Sequence, residues 1–195
     1  MNINMKLDFT YVYSIIAKAK VLGIIILFSV INSCVSMPQV VAKITIVDGQ
    51  YYTLKKHFKW MNQEIYPILK KECKRQHIDI RLMCSIIQYE SGDYCKNDYQ
   101  WMKKVHSTSN AIGLCQVLVR YHSPNNPHAL YNPEINVKKG VAILAECLTK
   151  AQKENWQNPV REACRYYNAG PYSKRYRYNN WSYVNKIWNK YNGVL

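Results

Sequence analysis

Glu90 is a carboxylate in an apolar row. On a helix running from Ile80, the side chains of Met83, Ile86 and Ile87 share one face, and Glu90 follows them at helical spacing, so it continues that stripe toward the core. Burial disfavours the charged form and raises the pKa. A glutamic acid so placed keeps its proton near neutral pH and can deliver it to a reacting oxygen as a general acid. Ser91-Gly92 is expected to break the helix, leaving Glu90 in its last turn, where the negative helix end opposes ionisation further. The bland alternative is a glutamate at a frayed helix end that reaches out to water.

Nothing else in the chain is as well defined chemically. His57, His77, His106, His122 and His128 stand at no ligand spacing, and no cysteines form a Cys-x-x-Cys pair, so neither a metal site nor a cofactor is expected.

The elements that must hold Glu90 are read from helix punctuation. Asp79 can cap its helix, which carries Leu82, Met83, Ile86 and Ile87. Pro67 suits a first helical position, with Ile68, Leu69 and Cys73 following. Asn132-Pro133 opens a longer helix with a stripe of Val141, Leu144, Cys147 and Leu148, and Asn158-Pro159 opens another that Gly170-Pro171 stops. Asn180 can cap a final helix bearing Val184, Ile187 and Trp188. Gly140 falls inside the long helix, where glycine costs about 1 kcal/mol relative to alanine, which implies a close neighbour. One β element is expected: Ile44–Val47 and Tyr51–Leu54 flank Asp48-Gly49, a hairpin-turn sequence. The fold class is mainly α with a short N-terminal β-hairpin.

A chain of 195 residues suits one domain with a real core, and 48% hydrophobic content with only 7 Gly and 7 Pro excludes disorder and collagen-like structure. Lys and Arg number 27 against 12 Asp and Glu, a formal charge of +15, which favours polyanionic partners: nucleic acid, acidic lipid headgroups or an anionic cell wall. The front end reads as an export signal. Lys6, Lys18 and Lys20 precede an apolar run from Val21 to Ile31, and Ser33, Cys34 and Ser36 follow as small residues near a cleavage site. That run is short of the roughly 20 residues a spanning helix needs. Ile31-Asn32-Ser33-Cys34 also resembles a lipoprotein cleavage box, in which Cys34 would carry the lipid. Without Cys34, the cysteines are Cys73, Cys84, Cys95, Cys115, Cys147 and Cys164. They can form three disulfides in an oxidising compartment, or include buried free thiols, for which Cys115 is the candidate. Residues 1–36 are therefore read as a signal peptide or lipoprotein signal, 37–62 as an extension with the hairpin, and 63–195 as the functional domain.

Several phrases accompany Glu90-Ser91. They are Ser107-Thr-Ser-Asn-Ala-Ile-Gly-Leu-Cys-Gln116, then Asn136 ahead of Gly140, then Tyr167-Asn168-Ala169-Gly170-Pro171, then Tyr183-Val184. In this order and spacing they closely resemble the soluble lytic transglycosylase (SLT) domain, a lysozyme-like family that cleaves peptidoglycan. The resemblance runs from about Pro67 to Tyr191 and implies a goose-type lysozyme-like helical fold. It matches Glu90 to the catalytic acid/base, Gln116 to a residue that hydrogen-bonds the sugar chain, and Ser107 to a serine near the muramic acetamido group. Tyr167 and Asn168 match the phrase lining the groove, and Tyr183 matches a tyrosine that hydrogen-bonds the catalytic carboxyl. Cys115 stands where the family has Met. Asn110 stands where it commonly has Gly, a change eased by asparagine's tolerance of left-handed backbone angles. Asn136 and Gly140 read as a structural helix-packing pair, and Lys96–His106 as a groove-side loop without a family counterpart.

The resemblance implies a lytic transglycosylase: one glutamic acid protonates the glycosidic oxygen, then acts as base while the muramic C6 hydroxyl closes a 1,6-anhydro ring. A goose-type hydrolase is the alternative, with Asp93 or Asp98 activating water, since conventional glycosidases use two carboxyls. A noncatalytic wall-binding or assembly protein is another. The basic and aromatic tail, with Arg165, Tyr166, Lys174, Arg175, Arg177 and Trp181, also fits a single-strand nucleic-acid binder. Export argues against nucleic acid. The expected partner is the peptidoglycan glycan strand, met by a monomer in the periplasm or cell envelope, attached to the membrane through Cys34 or an uncleaved signal or free of it.

Overall fold

Asparagine and aspartate caps begin most of the long helices. The computed structural model describes residues 48–170 and 180–194. The signal segment, Cys34, the first half of the expected hairpin and the basic stretch 171–179 lie outside the described residues. The elements are α1 (Gly49–His57), α2 (Ile65–Arg75), α3 (Ile80–Ile87), a π turn (Gln88–Gly92) and α4 (Tyr99–Met102). They are followed by β1 (Ala111–Ile112), β2 (Val117–Leu118), α5 (Val119–His122), a 3-10 turn (Pro127–Tyr131), α6 (Pro133–Lys153), α7 (Pro159–Ala169) and α8 (Trp181–Asn192). The fold is mainly α, as expected from the punctuation.

The caps work as their residue types require. Asp79 accepts from Arg81 N at the start of α3, Asn132 accepts from Glu134 N and Ile135 N with Pro133 opening α6, and Asn158 accepts from Arg161 N at the start of α7. Each satisfies backbone donors that a helix start leaves without partners. Gly170 ends α7 at φ 83°, a conformation that glycine adopts without penalty. At α8, Asn180 makes no side-chain cap. Its Nδ2 instead donates to Arg165 O at 3.1 Å and Asn168 Oδ1 at 3.2 Å, tying α8 to the end of α7.

The expected N-terminal hairpin is corrected, because Tyr51–Leu54 lies within α1. Asp48 does not make a β-turn; it caps the helix, accepting from Tyr51 N at 3.2 Å while Tyr66 and Lys70 also bond its carboxylate. Tyr51, Leu54 and Phe58 fall at helical spacing and are all buried, so packing favours the helix. They join Trp60 and Met61 in the same core as Leu69, Met83 and Val141. The β structure is instead the antiparallel pair β1–β2, with Ala111 opposite Leu118 and Ile112 opposite Val117.

Helix α3 is apolar but for Arg81 and Ser85, which share one face, and Ile80 and all of Leu82–Ile87 are buried. It is the central helix, with α2 and α8 against it; α6 packs on α2 and α7, and α7 packs on α8. The disulfide expectation is also corrected: Cys73, Cys84, Cys95, Cys115, Cys147 and Cys164 are all free and buried. They fill core space as small apolar groups. Among the described residues, no helix is long and apolar enough to cross a membrane.

Candidate active site

The chain does not break at Ser91-Gly92. It widens into a π turn in which Asp93 N donates to Gln88 O at 2.8 Å, five residues back. Such turns within helices are uncommon and concentrate at functional sites. The side chain of Gln88 locks this one. Its Nε2 donates to Asp93 Oδ1 at 2.6 Å and Asn97 Oδ1 at 2.9 Å, and its Oε1 accepts from Trp60 Nε1 at 3.0 Å. Gly92 is required by packing: a Cβ there would lie 2.9 Å from Gln88 Nε2 and 3.3 Å from Trp60 Cδ1.

Glu90 emerges from this turn partly exposed. Tyr183 Oη, from α8, donates to Glu90 Oε1 at 2.6 Å, and no other hydrogen bond reaches the carboxyl among the described residues. Burial pushes the Glu90 carboxyl from its ordinary 4.5 up to about 7, while the Tyr183 hydrogen bond pulls it the other way. The phenol of Tyr183 is held well above its usual range, by burial first and by the nearby Glu90 charge second. It therefore stays a donor at any physiological pH. Tyr89 meets the Tyr183 ring edge-on at 4.8 Å and 86°, so the donor is braced from the same turn that carries its acceptor.

The Gly113–Gln116 turn between β1 and β2 is fastened to three helical segments. Ser91 Oγ donates to Leu114 O at 2.8 Å, which joins the turn to the residue following Glu90. Asn136, buried on α6, accepts from Cys115 N at 2.9 Å and donates to Ile112 O at 2.8 Å and Leu130 O at 3.0 Å. Tyr167 Oη, from α7, donates to Cys115 O at 2.8 Å. Both Cys115 and Tyr167 lie within electrostatic reach of Glu90. Gly113 (φ 77°) leaves room for the Asn136 amide, which a Cβ would approach to 2.6 Å. The neighbour anticipated at Gly140 is Cys115, whose Sγ would lie 2.6 Å from a Cβ at that position.

The expected site residues thus fall into two groups. Glu90, Tyr183 and Tyr167 are brought together. Gln116 borders them, with Nε2 donating to its own turn at Gly113 O (2.9 Å) and the side chain partly exposed. Ser107 accepts from Ala111 N at 3.1 Å and shares a 2.9 Å contact with Ser109, so its hydroxyl braces the loop entering β1. Asn168 is exposed and bonded to Asn180. Neither Ser107 nor Asn168 hydrogen-bonds Glu90. Asn110 adopts φ 64° before β1. Sequence reasoning missed Gln88, Trp60 and the hydroxyl of Ser91; only Gly92 hinted at the close packing they make.

The other nearby carboxylates are committed elsewhere. Asp93 is exposed and bonded to Gln88, and Asp98 caps α4 through Gln100 N and Trp101 N. Among the described residues no group of His, Cys, Asp and Glu is arranged to hold a metal ion. The arrangement is a single carboxyl, about half-protonated near pH 7, with one oxygen held by a phenol and the other left to act on a bound molecule.

This site and fold agree with a family match: the profile of the Transglycosylase SLT domain covers residues 67–189. The chain belongs to that family, whose members act on peptidoglycan as lytic-transglycosylase-like enzymes. No curated protein and no solved structure matches it.

Proposed function

We propose that this protein is a peptidoglycan lytic transglycosylase that cleaves the MurNAc-GlcNAc β-1,4 bond without water, with Glu90 as acid and then base. The observation that carries the reading is the lone Glu90 carboxyl, raised to about 7, with Tyr183 on Oε1. With Oε1 already accepting from Tyr183, the acidic proton belongs on the other oxygen, facing the substrate. Glu90 gives this proton to the glycosidic oxygen as the bond to the muramic C1 breaks. The substrate's acetamido group stabilises the cationic sugar. The resulting carboxylate takes the proton from the muramic C6 hydroxyl as that oxygen bonds to C1, which restores the acid and leaves a 1,6-anhydro end. One group must serve both steps, so a pKa of about 7 suits it.

In this reading Gln116, Tyr167 and Asn168 bind the glycan strand, Ser107 lies toward the acetamido group and Tyr183 orients the acid. The commitments of Asp93 and Asp98 support the transglycosylase over a hydrolase, which needs a second carboxyl to activate water. Arg165 speaks against a nucleic-acid face: it is buried, ion-paired to Glu162 at 3.0 Å and stacked over Trp181. The protein is exported as a monomer to the periplasm or cell envelope by its N-terminal signal, with Cys34 or the uncleaved signal as the route to a membrane anchor.

The test is mass spectrometry of products from purified peptidoglycan. Anhydro-muramic ends are expected from the wild type, and a loss of about 10²–10⁴-fold in rate from Glu90→Gln. Free reducing ends would assign the hydrolase, and a Glu90→Gln protein as active as wild type would remove Glu90 from the mechanism.

A further inference from the structure

The turn that carries Glu90 does not end in polar residues. Cys95 N donates to Ser91 O at 2.8 Å, so the chain keeps its helical sense through Tyr94, one turn beyond Glu90. Tyr94 is 68% exposed and meets Trp101, 43% exposed, with ring centroids 5.5 Å apart. Single exposed aromatics are ordinary on protein surfaces. This pair differs in three respects.

First, its scaffold is rigid. Cys95, Tyr99 and Met102 are buried beneath it, Asn97 is held by Gln88, Asp98 caps Trp101 N, and Tyr99 Oη donates to Glu64 at 2.9 Å. The apolar residues of this segment that the core could take are already in the core, and Trp101 is turned outward beside them. Second, both rings keep exposed surface. The exposed Trp181 and Tyr121 are covered by the guanidinium groups of Arg165 and Arg120, but among the described residues no cation covers Tyr94 or Trp101. Third, Gln88 fastens this platform and the π turn of Glu90 with the same amide, so one side chain ties the two together.

We propose that Tyr94 and Trp101 form a sugar-binding subsite adjoining the catalytic turn, which takes the apolar face of an N-acetylated pyranose in the glycan strand. This rests on the function proposed above and adds the segment that lies outside the family's recognisable phrases. A β-linked pyranose presents a C–H face bounded by polar substituents. A rigid pair of amphipathic rings offers the matching surface, with the Tyr hydroxyl and Trp N–H at its rim and little ordering cost on binding.

The test uses the full chain with Glu90→Gln, so that binding is read without turnover. Chitotetraose, a soluble β-1,4 N-acetylglucosamine oligomer, is titrated by isothermal calorimetry, and purified insoluble peptidoglycan is assayed by cosedimentation. Tyr94→Ala with Trp101→Ala is expected to weaken both by about tenfold or more, while Trp101→Phe, which keeps an aromatic face, retains most of the binding to each. In the active enzyme the double variant should raise KM with kcat largely kept. Both rings are exposed, so its thermal midpoint should match the parent's. Unchanged binding in the double variant would overturn the subsite and leave the transglycosylase reading standing. Loss of peptidoglycan binding with chitotetraose binding intact would assign the pair to the peptide stems and overturn the sugar reading. A chain that binds sugar through this pair but releases no cleaved product would sustain the subsite and refute the catalytic proposal.

Discussion

Tyr183 and Glu90 are separated by most of the domain in sequence and by 2.6 Å in space. The phenol is a fixed donor to one carboxyl oxygen, and burial supplies the opposing push that raises the carboxyl to about 7, so that it is near half-protonated at neutral pH. In the proposed mechanism, the balance of these two effects sets the pH at which the acid works.

The rate of wall cleavage should therefore fall as pH rises through about 7, where Glu90 loses its proton. Tyr183→Phe removes a bond that lowers this pKa, so the alkaline limb should move upward. The maximal rate should drop by roughly 10²-fold, because the acid is no longer oriented. Initial rates across pH for both proteins check this; a limb that moves downward contradicts it.

Stability should carry the same signature. Below pH 4.5 both folded and unfolded chains hold the Glu90 proton, and the residue costs nothing. Between 4.5 and about 7 the folded chain binds more protons than the unfolded one, so stability is lost as pH rises. Above 7 the penalty reaches on the order of 3 kcal/mol. Glu90→Gln should match wild type at pH 4 and exceed it at pH 8 in denaturant titrations. Equal stability at both pH values would mean that the carboxyl is freely hydrated.

Asn136 holds three backbone groups around the Gly113–Gln116 turn. Asn136→Ala removes all three of these buried bonds and should cost about 3 kcal/mol. Gly140→Ala drives a methyl into Cys115 and should cost about 1–3 kcal/mol. Urea unfolding measures both, and a neutral Asn136→Ala would show that the bracket is dispensable.

The six described cysteines should behave as buried thiols. Burial pushes Cys73, Cys147 and Cys164 up to about 12 and holds Cys84 and Cys115 well above their ordinary range, so little thiolate exists to react. A thiol reagent should leave them untouched in the native protein and label them after denaturation, and reductant should not move the thermal midpoint. A midpoint that falls on reduction would point to disulfides.

Much of this molecule was written in local residue choice. Asp79, Asn132 and Asn158 name their helix starts because a short polar side chain next to an apolar period has one efficient use there. Glu90 declared itself because a carboxylate in line with Met83, Ile86 and Ile87 conflicts with the pattern around it. Gly140 announced a close approach without naming the neighbour. Local signals went astray where two local structures share the same residues. Asp48-Gly49 serves a hairpin or a helix cap equally well, and only the burial of Tyr51, Leu54 and Phe58 against the rest of the core selected the helix. Ser91-Gly92 reads as a helix end, yet Gln88 within the turn and Trp60, from a distant part of the chain, clamp it into a π turn. Cysteine number suggested pairing, but pairing depends on Cβ geometry that packing alone determines. The meeting of Tyr183, Glu90 and the Cys115 turn belongs to the tertiary structure too, because hydrogen bonds across so long a loop form only after the core has paid the entropy of bringing their helices together.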